Sequence, residues 1–162
     1  MSLALIPGSF DPMTLGHLSL VKEALKRYDE AVVAVMNNDK KTYLFDLPTR
    51  RRLAELTVAG LPRVRVVASE GLLVDLFDEL HADIIVKGVR NETDRRYEEE
   101  MAAYNLSCNP RAKTLLLPAA KDVEEISSTR VRAELLAGKY PEALLAPAVI
   151  AYCKERGKKA YE

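Results

Sequence analysis

Short apolar runs alternate along the chain with longer amphipathic segments, and this alternation restricts the possible folds more than any other feature of the sequence. The apolar runs predict five β-strands, at residues 3–6, 31–36, 64–68, 84–86 and 114–117. Strands that alternate with helices form a parallel sheet that is covered by helices on both faces. The sequence therefore predicts an α/β fold built on a five-stranded parallel sheet.

Amphipathic segments and capping residues predict the helices. The first helix begins near Thr14, and the second follows Asp46 as its N-cap. Further helices are predicted at residues 72–80, 95–106 and 128–137, and two short ones begin at Pro141 and Pro147. Because the sequence has no low-complexity linker and no internal repeat, we expect a single domain over residues 1–162.

The composition argues against several classes of partner. The 24 basic residues balance 24 acidic ones, so the overall charge gives no reason to expect a nucleic acid or an anionic membrane as partner. Cys108 and Cys153 are far apart and do not have metal-ligand spacing, which leads us to expect two reduced, packed thiols. The sequence shows no leader and no apolar run of membrane-spanning length. We therefore expect a soluble cytoplasmic protein.

The end of the first predicted strand has the features of a phosphate-binding turn. Pro7 and Gly8 end the apolar run, and Thr14, Gly16 and His17 stand at the start of the following helix. A helix N-terminus leaves about four N–H groups unpaired and carries roughly half a positive charge, which favours phosphate oxygens. His17 adds a donor that can be charged, although by spacing alone it could equally be an ordinary cap or surface residue.

Basic residues follow two further strands at the same edge of the sheet. Lys41 lies in the polar loop after the second strand, and Lys87 and Arg90 flank Gly88-Val89 after the fourth. Ligands of Rossmann-like folds bind at this edge. Two cations around a glycine suit a chain of phosphates, whereas the same composition also fits a solvated loop. The pattern favours a polyphosphate ligand.

The predicted fifth helix opens with hydroxyl side chains. Ser127, Ser128 and Thr129 can cap this helix or contact an anion at its positive end. The sequence pattern leaves both possibilities open.

Two motifs resemble the signatures of the nucleotidyltransferase superfamily. Residues 8–17, which end in Thr14-Leu15-Gly16-His17, resemble its (H/T)-x-G-H motif, and residues 126–132 resemble its I-S-S-(S/T)-x-x-(R/K) motif. From Ile6 to about Val149 the chain more narrowly resembles the bacterial phosphopantetheine adenylyltransferases. The diagnostic pieces are Pro7-Gly8-Ser9-Phe10-Asp11-Pro12, Lys41, Gly71-Leu72-Leu73-Val74-Asp75, Lys87-Gly88-Val89-Arg90, Asp94 with Tyr97-Glu98, and Ile126-Ser127-Ser128-Thr129.

This resemblance implies a reaction in which AMP moves from ATP to 4′-phosphopantetheine, giving dephospho-CoA and pyrophosphate. It implies that His17 stabilises the transition state and that Lys41 and Arg90 hold the reacting phosphates. The implied phosphopantetheine contacts are Ser9, Lys41, Leu73 and Lys87. The implied ATP contacts are Ser9, Phe10, His17, Gly88, Val89, Arg90, Glu98, Val123, Glu124, Glu125, Ile126, Ser127, Ser128 and Thr129. Mg²⁺ as cofactor, a homohexamer, and binding of dephospho-CoA or CoA are expected on the same ground.

Two other classes of function remain compatible with the sequence. The first motif alone does not separate this reaction from adenylyl transfer to nicotinate mononucleotide or from cytidylyl transfer to a small alcohol phosphate. Residues 71–75, with Lys41 and Lys87, favour an acceptor that has an apolar arm. A nucleotide-binding sensor without chemistry is the non-enzymatic alternative, which an intact His17 disfavours.

Overall fold

All five predicted strands are present in the computed structural model, which describes residues 1–38, 40–119 and 127–157. Each strand is longer than the apolar run that predicted it, and three of them begin or end in a polar residue. The strands are β1 (Leu3–Gly8), β2 (Glu30–Met36), β3 (Val64–Ser69), β4 (Ile84–Val89) and β5 (Thr114–Pro118). The helices are α1 (Leu15–Arg27), α2 (Leu47–Val58), α3 (Leu73–Glu79), α4 (Glu92–Cys108), α5 (Ser128–Leu136) and α6 (Pro147–Arg156).

The described strands form one parallel sheet, which confirms the predicted fold class. Their order across the sheet is β3-β2-β1-β4-β5. The chain runs outwards from β1 to β3 on one side, crosses over, and runs from β4 to β5 on the other. The order therefore reverses between β1 and β4, and in open α/β sheets such a reversal leaves a crevice at the carboxyl ends of the strands.

Helices cover both faces of the sheet. On one face, α1 and α2 pack through Val21 and Ala54 against alternate strand residues such as Ile6 and Val33. On the other face, Phe77 of α3 packs against the intervening strand positions. A further apolar cluster joins α2, α5 and α6 beside the sheet. Strands covered on both faces are apolar at nearly every position, which explains why their sequences are continuous apolar runs rather than alternating ones.

The structure corrects four details of the prediction. The segment after Pro141 is a turn and not a helix, and Leu145 accordingly bonds back to Pro141 within one turn. Residues 87–89 belong to β4 instead of following it. Helix α4 begins at Glu92, because Asn91 caps it by accepting the Asp94 N–H. Cys108 is exposed rather than packed, whereas Cys153 is buried and burial raises the pKa of its thiol.

A search of the described residues for a helix both long and apolar enough to cross a membrane finds none.

Candidate active site

A cavity of about 510 Å³ opens at the crevice between β1 and β4. The ends of these strands, the N-terminus of α1, the segment that carries Lys41, and the N-terminus of α5 all contribute to it. The structure thereby brings most of the predicted site residues together. Those in its lining are Ser9, Phe10, His17, Lys41, Lys87, Gly88, Val89, Arg90, Glu98, Ser127, Ser128 and Thr129.

Thr14 and His17 form a reciprocal cap at the start of α1. The Thr14 side chain accepts the His17 N–H, and the Thr14 N–H donates to Nδ1 of the His17 ring over 3.0 Å. A ring nitrogen that accepts a backbone N–H carries no proton, so the proton of the neutral ring is on Nε2. The cap therefore selects the tautomer in which Nε2 is the donor that the ring can offer to a ligand in the cavity.

His17 is neutral at physiological pH. Burial of the imidazole, with smaller contributions from the Arg90 and Lys87 charges, lowers the pKa of His17 to about 4. The Phe10 ring contributes to this environment, because it meets the imidazole edge-on with 5.0 Å between ring centroids. His17 therefore offers a hydrogen bond and not a positive charge.

Gly8 leaves the space in which Phe10 packs. A Cβ atom at Gly8 would lie 3.0–3.3 Å from three atoms of the Phe10 ring. Phe10 itself has a φ of 48°, in the left-handed region, and is 5% exposed. β1 ends at Gly8, as the sequence suggested, and the glycine is also needed here for the close approach of an aromatic ring to the strand.

Two cations at the end of β4 are paired with carboxylates from α4. Lys87 Nζ lies 3.2 Å from Glu98 Oε2, and Arg90 Nε lies 3.3 Å from Asp94 Oδ2. All four side chains are in the cavity lining. The ion pairs hold the two cations in place. An anionic ligand would have to compete with the carboxylates or displace them, which lowers its affinity moderately, because partly exposed ion pairs are weak.

The N-terminus of α5 is held against the turn after β1. Ser128 Oγ donates to the Pro12 carbonyl over 2.9 Å. Ser127 caps the helix by accepting the Arg130 N–H, and Thr129 Oγ1 accepts from Arg132. A hydroxyl that accepts one hydrogen bond still has its own proton to donate. Ser127 and Thr129 can therefore donate to a phosphate in this arrangement, whereas the Ser128 proton is already engaged.

Asp11 connects this turn with the segment that follows Lys41. Its carboxylate is 2% exposed and accepts the N–H groups of Leu44 and Phe45 over 2.8 and 3.0 Å. The Asp11 carbonyl accepts from Arg132 over 2.9 Å. Three segments that line the cavity are thus tied to one buried residue.

Some predicted residues are not part of this lining. Leu73 begins α3 and packs in the apolar cluster on the opposite face of the sheet, outside the cavity lining. Val123, Glu124, Glu125 and Ile126 lie outside the described residues.

The sequence analysis did not assign Asp11, Asp94 or Arg132 to the site, although all three line the cavity. Arg132 occupies the basic position of the second motif, which is the one signal that could have identified it.

The described residues offer no ready-made metal cage. No group of three or more His, Cys, Asp or Glu side chains lies close enough together among them to hold an ion. The two α4 carboxylates in the cavity face cations instead.

Comparison with known proteins agrees with the fold. A sequence model of the cytidylyltransferase-like family matches residues 5–134. A candidate nicotinate-nucleotide adenylyltransferase from Vibrio parahaemolyticus has the same fold, with a TM-score of 0.73 over 100% of this chain and 98% of that one, at 21% identity. The sheet order, the cavity at the strand-order reversal and the family match define the chain as a nucleotidyltransferase.

Relatives with higher sequence identity show to which family of nucleotidyltransferases the chain belongs. Phosphopantetheine adenylyltransferase from Limosilactobacillus reuteri is 39% identical over 85% of this chain and 80% of its own length. The one from Clostridium kluyveri is 36% identical over 100% of this chain and 99% of its own length. The one from Clostridium tetani is 34% identical over 98% of this chain and 100% of its own length. The chain belongs to the phosphopantetheine adenylyltransferase family.

Proposed function

We propose that the cavity catalyses transfer of AMP from ATP to 4′-phosphopantetheine, a step of coenzyme A biosynthesis. The observation that supports this most is the meeting of His17, Lys41, residues 87–90 and residues 127–129 in one cavity, in a chain whose full-length relatives have this activity in their names. An oxygen of the acceptor phosphate attacks the α-phosphorus of ATP. The new P–O bond forms as the bond to the β-phosphate breaks, and pyrophosphate leaves with the electron pair.

The acceptor needs no general base. The second pKa of a phosphate monoester is near 6, so at neutral pH the attacking oxygen is already mostly deprotonated. The catalytic requirement is instead to hold two mutually repelling anions in line and to stabilise the charge that develops on the α-phosphoryl oxygens.

The geometry suggests a division of labour among the residues of the cavity. His17 Nε2–H and the first N–H groups of α1 are the donors for the α-phosphoryl oxygens. Lys41 and Lys87 hold the acceptor phosphate. Arg90, Ser127 and Thr129 hold the β- and γ-phosphates. Each group is a preorganised donor, which is the property that electrostatic catalysis requires.

We propose that Mg²⁺ enters as part of the nucleotide. It would be held by phosphate oxygens, in agreement with the carboxylates of α4 being engaged with Lys87 and Arg90. When bound, such an ion shares the charge of the triphosphate with the basic side chains.

The test is a pyrophosphate-release assay with purified protein and a panel of substrates. ATP with 4′-phosphopantetheine is expected to release pyrophosphate and to give a product with the mass of dephospho-CoA. Nicotinate mononucleotide with ATP, and glycerol 3-phosphate with CTP, are expected to give only background. Turnover with either of those pairs and none with 4′-phosphopantetheine would contradict the proposal.

We further propose a cytoplasmic homohexamer that binds neither nucleic acid nor membranes. The balanced charge of 24 basic and 24 acidic residues supports the absence of those partners. Assembly is supported by Tyr97, Met101 and Tyr104, which share one face of α4 and are 56%, 38% and 62% exposed. Light scattering after size-exclusion chromatography would give the mass, and a monomer at micromolar concentration would contradict the hexamer.

A further inference from the structure

Arg50 of α2 is a buried cation that the proposed mechanism does not use. It is 1% exposed and is among the largest fully buried side chains of the described residues. Removing a guanidinium from water is costly unless its N–H groups are hydrogen-bonded. The N–H groups of a buried arginine therefore need hydrogen-bond partners, and the positions of those partners indicate what the residue holds together.

The partners of Arg50 come from the ends of two neighbouring strands. Its Nη1 donates to the Ser9 carbonyl over 2.9 Å, just beyond β1, and to the Met36 carbonyl over 3.1 Å, at the end of β2. Its Nη2 donates to the Asn37 side chain. Its Nε donates to the Phe45 carbonyl over 3.1 Å, directly before α2. A single planar group therefore holds four residues together, and one of them, Ser9, lines the cavity.

Tyr43 completes this arrangement. Its ring lies 3.9 Å from the Arg50 guanidinium carbon, which places the cation over the aromatic face. Its hydroxyl accepts the Asn38 N–H and lies 3.5 Å from Ser9 Oγ. Asn38 in turn accepts the Lys41 N–H over 2.9 Å. Contacts thus run from the buried cation to the two residues that the acceptor phosphate is expected to meet, Ser9 and Lys41.

We propose that Arg50 and Tyr43 are a positioning pair for the acceptor, which fixes the Ser9 hydroxyl and the turn that carries Lys41 relative to each other. This inference rests on the proposed function, which identifies the acceptor as 4′-phosphopantetheine. Neither residue lines the cavity, so both act through their neighbours. Ser9 is also an expected ATP contact, but the other groups that the pair contacts belong to the segment around Lys41, and its hydrogen bonds do not reach residues 127–129 or the α1 N-terminus. We therefore expect a larger effect on the acceptor than on ATP.

The test compares Tyr43→Phe and Arg50→Lys with Arg51→Lys, a matched change at an exposed neighbour on the same helix. Tyr43→Phe keeps the stacked ring and removes only the hydroxyl. Loss of one such hydrogen bond is expected to raise KM for 4′-phosphopantetheine about three- to tenfold. The KM for ATP is expected to change less than the KM for 4′-phosphopantetheine, and the melting temperature is expected to stay near wild type. Arg50→Lys keeps the charge, loses the planar fork and is expected to have a larger effect on the same KM. Arg51→Lys is expected to match wild type.

Amide hydrogen exchange gives a second readout that does not depend on activity. The Asn38, Leu44 and Phe45 amides are hydrogen-bonded around the pair, and we expect them to exchange faster in both variants, by about tenfold or more in Arg50→Lys. A merely structural role would lower the melting temperature and the active fraction and leave both KM values unchanged.

Equal rises of both KM values, or unchanged exchange at these three amides, would overturn the inference. If wild-type protein does not turn over 4′-phosphopantetheine, the proposed function fails, and exchange alone then decides whether the pair holds this segment.

Discussion

At the scale of single residues, His17 combines a structural and a chemical task. Its Nδ1 satisfies the Thr14 N–H at the start of α1, and the same hydrogen bond fixes the proton on Nε2. A lysine or arginine could not accept that N–H, and an asparagine or serine could not present the same donor at the same distance. The identity of the residue at this position therefore follows from two simultaneous requirements, which separate variants can test.

Two substitutions at His17 should separate its two tasks. His17→Ala keeps the Thr14 N-cap but removes the acceptor of the Thr14 N–H and the Nε2 donor. Because a buried N–H is then left without a partner, we expect a loss of about 1 kcal/mol in the free energy of unfolding. We also expect turnover to fall by about 10²–10³. Gln at the same position can again accept the Thr14 N–H, as in a capping box. His17→Gln is therefore expected to recover the stability but not wild-type turnover. Denaturant titrations and steady-state kinetics on both variants measure the two effects, and near-normal turnover in pure His17→Ala would refute the assignment.

The lowered pKa of His17 predicts a specific dependence of stability on pH. The pKa falls from 6.5 for the ordinary group to about 4 in the folded protein. Between these values the unfolded chain binds more protons than the folded one, so the free energy of unfolding decreases as the pH falls through this window. The contribution is about 2–3 kcal/mol between pH 6.5 and pH 4.

His17→Gln cannot titrate and serves as the control for this dependence. Denaturant titrations of both proteins from pH 7 to pH 4 should give curves that diverge as the pH falls. Asp29 and Asp46, whose pKa values are lowered by hydrogen bonds, contribute equally to both curves. Parallel curves would mean that the folded protein accommodates a charged imidazole.

At the scale of elements, the ends of the parallel strands determine the chemistry. The sequence predicted the strands because runs buried on both faces are apolar at nearly every position, and it predicted the cap at Asp46, which accepts the Thr49 N–H. A parallel sheet brings the ends of all its strands to one edge. This is why residues as distant as His17, Lys41 and Arg90 could be assigned to one place without coordinates.

Other features of the site could not be predicted, for physical reasons. Asp11 and Arg50 are charged, and charged residues are rarely buried, so the sequence gives no sign that both lie in the interior. Both depend in part on a hydrogen-bond partner far away in the chain, Leu44 for Asp11 at 33 residues and Ser9 for Arg50 at 41 residues. Proline also starts turns as readily as helices, which is why the segment after Pro141 was assigned wrongly. Leu73 was assigned by resemblance, and no local pattern specifies to which side of the sheet it turns.

The ion pair between Lys87 of β4 and Glu98 of α4 leads to a prediction about the KM of each substrate. Lys87 is expected to hold the acceptor phosphate, yet it pairs with Glu98, which is expected to contact ATP. In Glu98→Gln the carboxylate no longer competes for Lys87, so we expect KM for 4′-phosphopantetheine to fall. The KM for ATP is expected to rise. Changes of about two- to fivefold correspond to the strength of a partly exposed ion pair.

Glu99→Gln is the matched control for this prediction. Glu99 is the next residue of α4, its side chain is 58% exposed, and it lies 3.9 Å from Arg95 at the surface. Its substitution should leave both KM values unchanged. If Glu98→Gln also leaves both unchanged, the Lys87–Glu98 contact has no role in substrate binding.

At the scale of the whole molecule, the position of the cavity follows from the sheet order. The chain has a formal net charge of +0, so it has no excess charge that would attract an anion from a distance. Affinity for a nucleotide must come from the crevice between β1 and β4, where the N-termini of α1 and α5 line the same cavity as the strand ends. Gly88 lines this cavity between Lys87 and Arg90, so a substitution there tests whether the crevice binds the nucleotide.

A methyl group at Gly88 should block the nucleotide without disturbing the fold. The added Cβ would lie 3.5 and 3.7 Å from Leu20 and 3.9 Å from the Leu117 carbonyl, which are ordinary contacts. We therefore expect Gly88→Ala to melt within about 2 °C of wild type without ligand, as a compatible glycine replacement should. ATP at 100 times its Kd should stabilise wild type by about 2.7 kcal/mol, which raises the melting temperature by about 5–10 °C. The same ATP concentration should raise the melting temperature of Gly88→Ala by less than half of that. Gly60→Ala, at a glycine with nothing within 4 Å of the added atom, should respond to ATP as wild type does. A full ATP shift in Gly88→Ala would show that the nucleotide does not lie against β4, and with it the site would have to be placed elsewhere on the sheet.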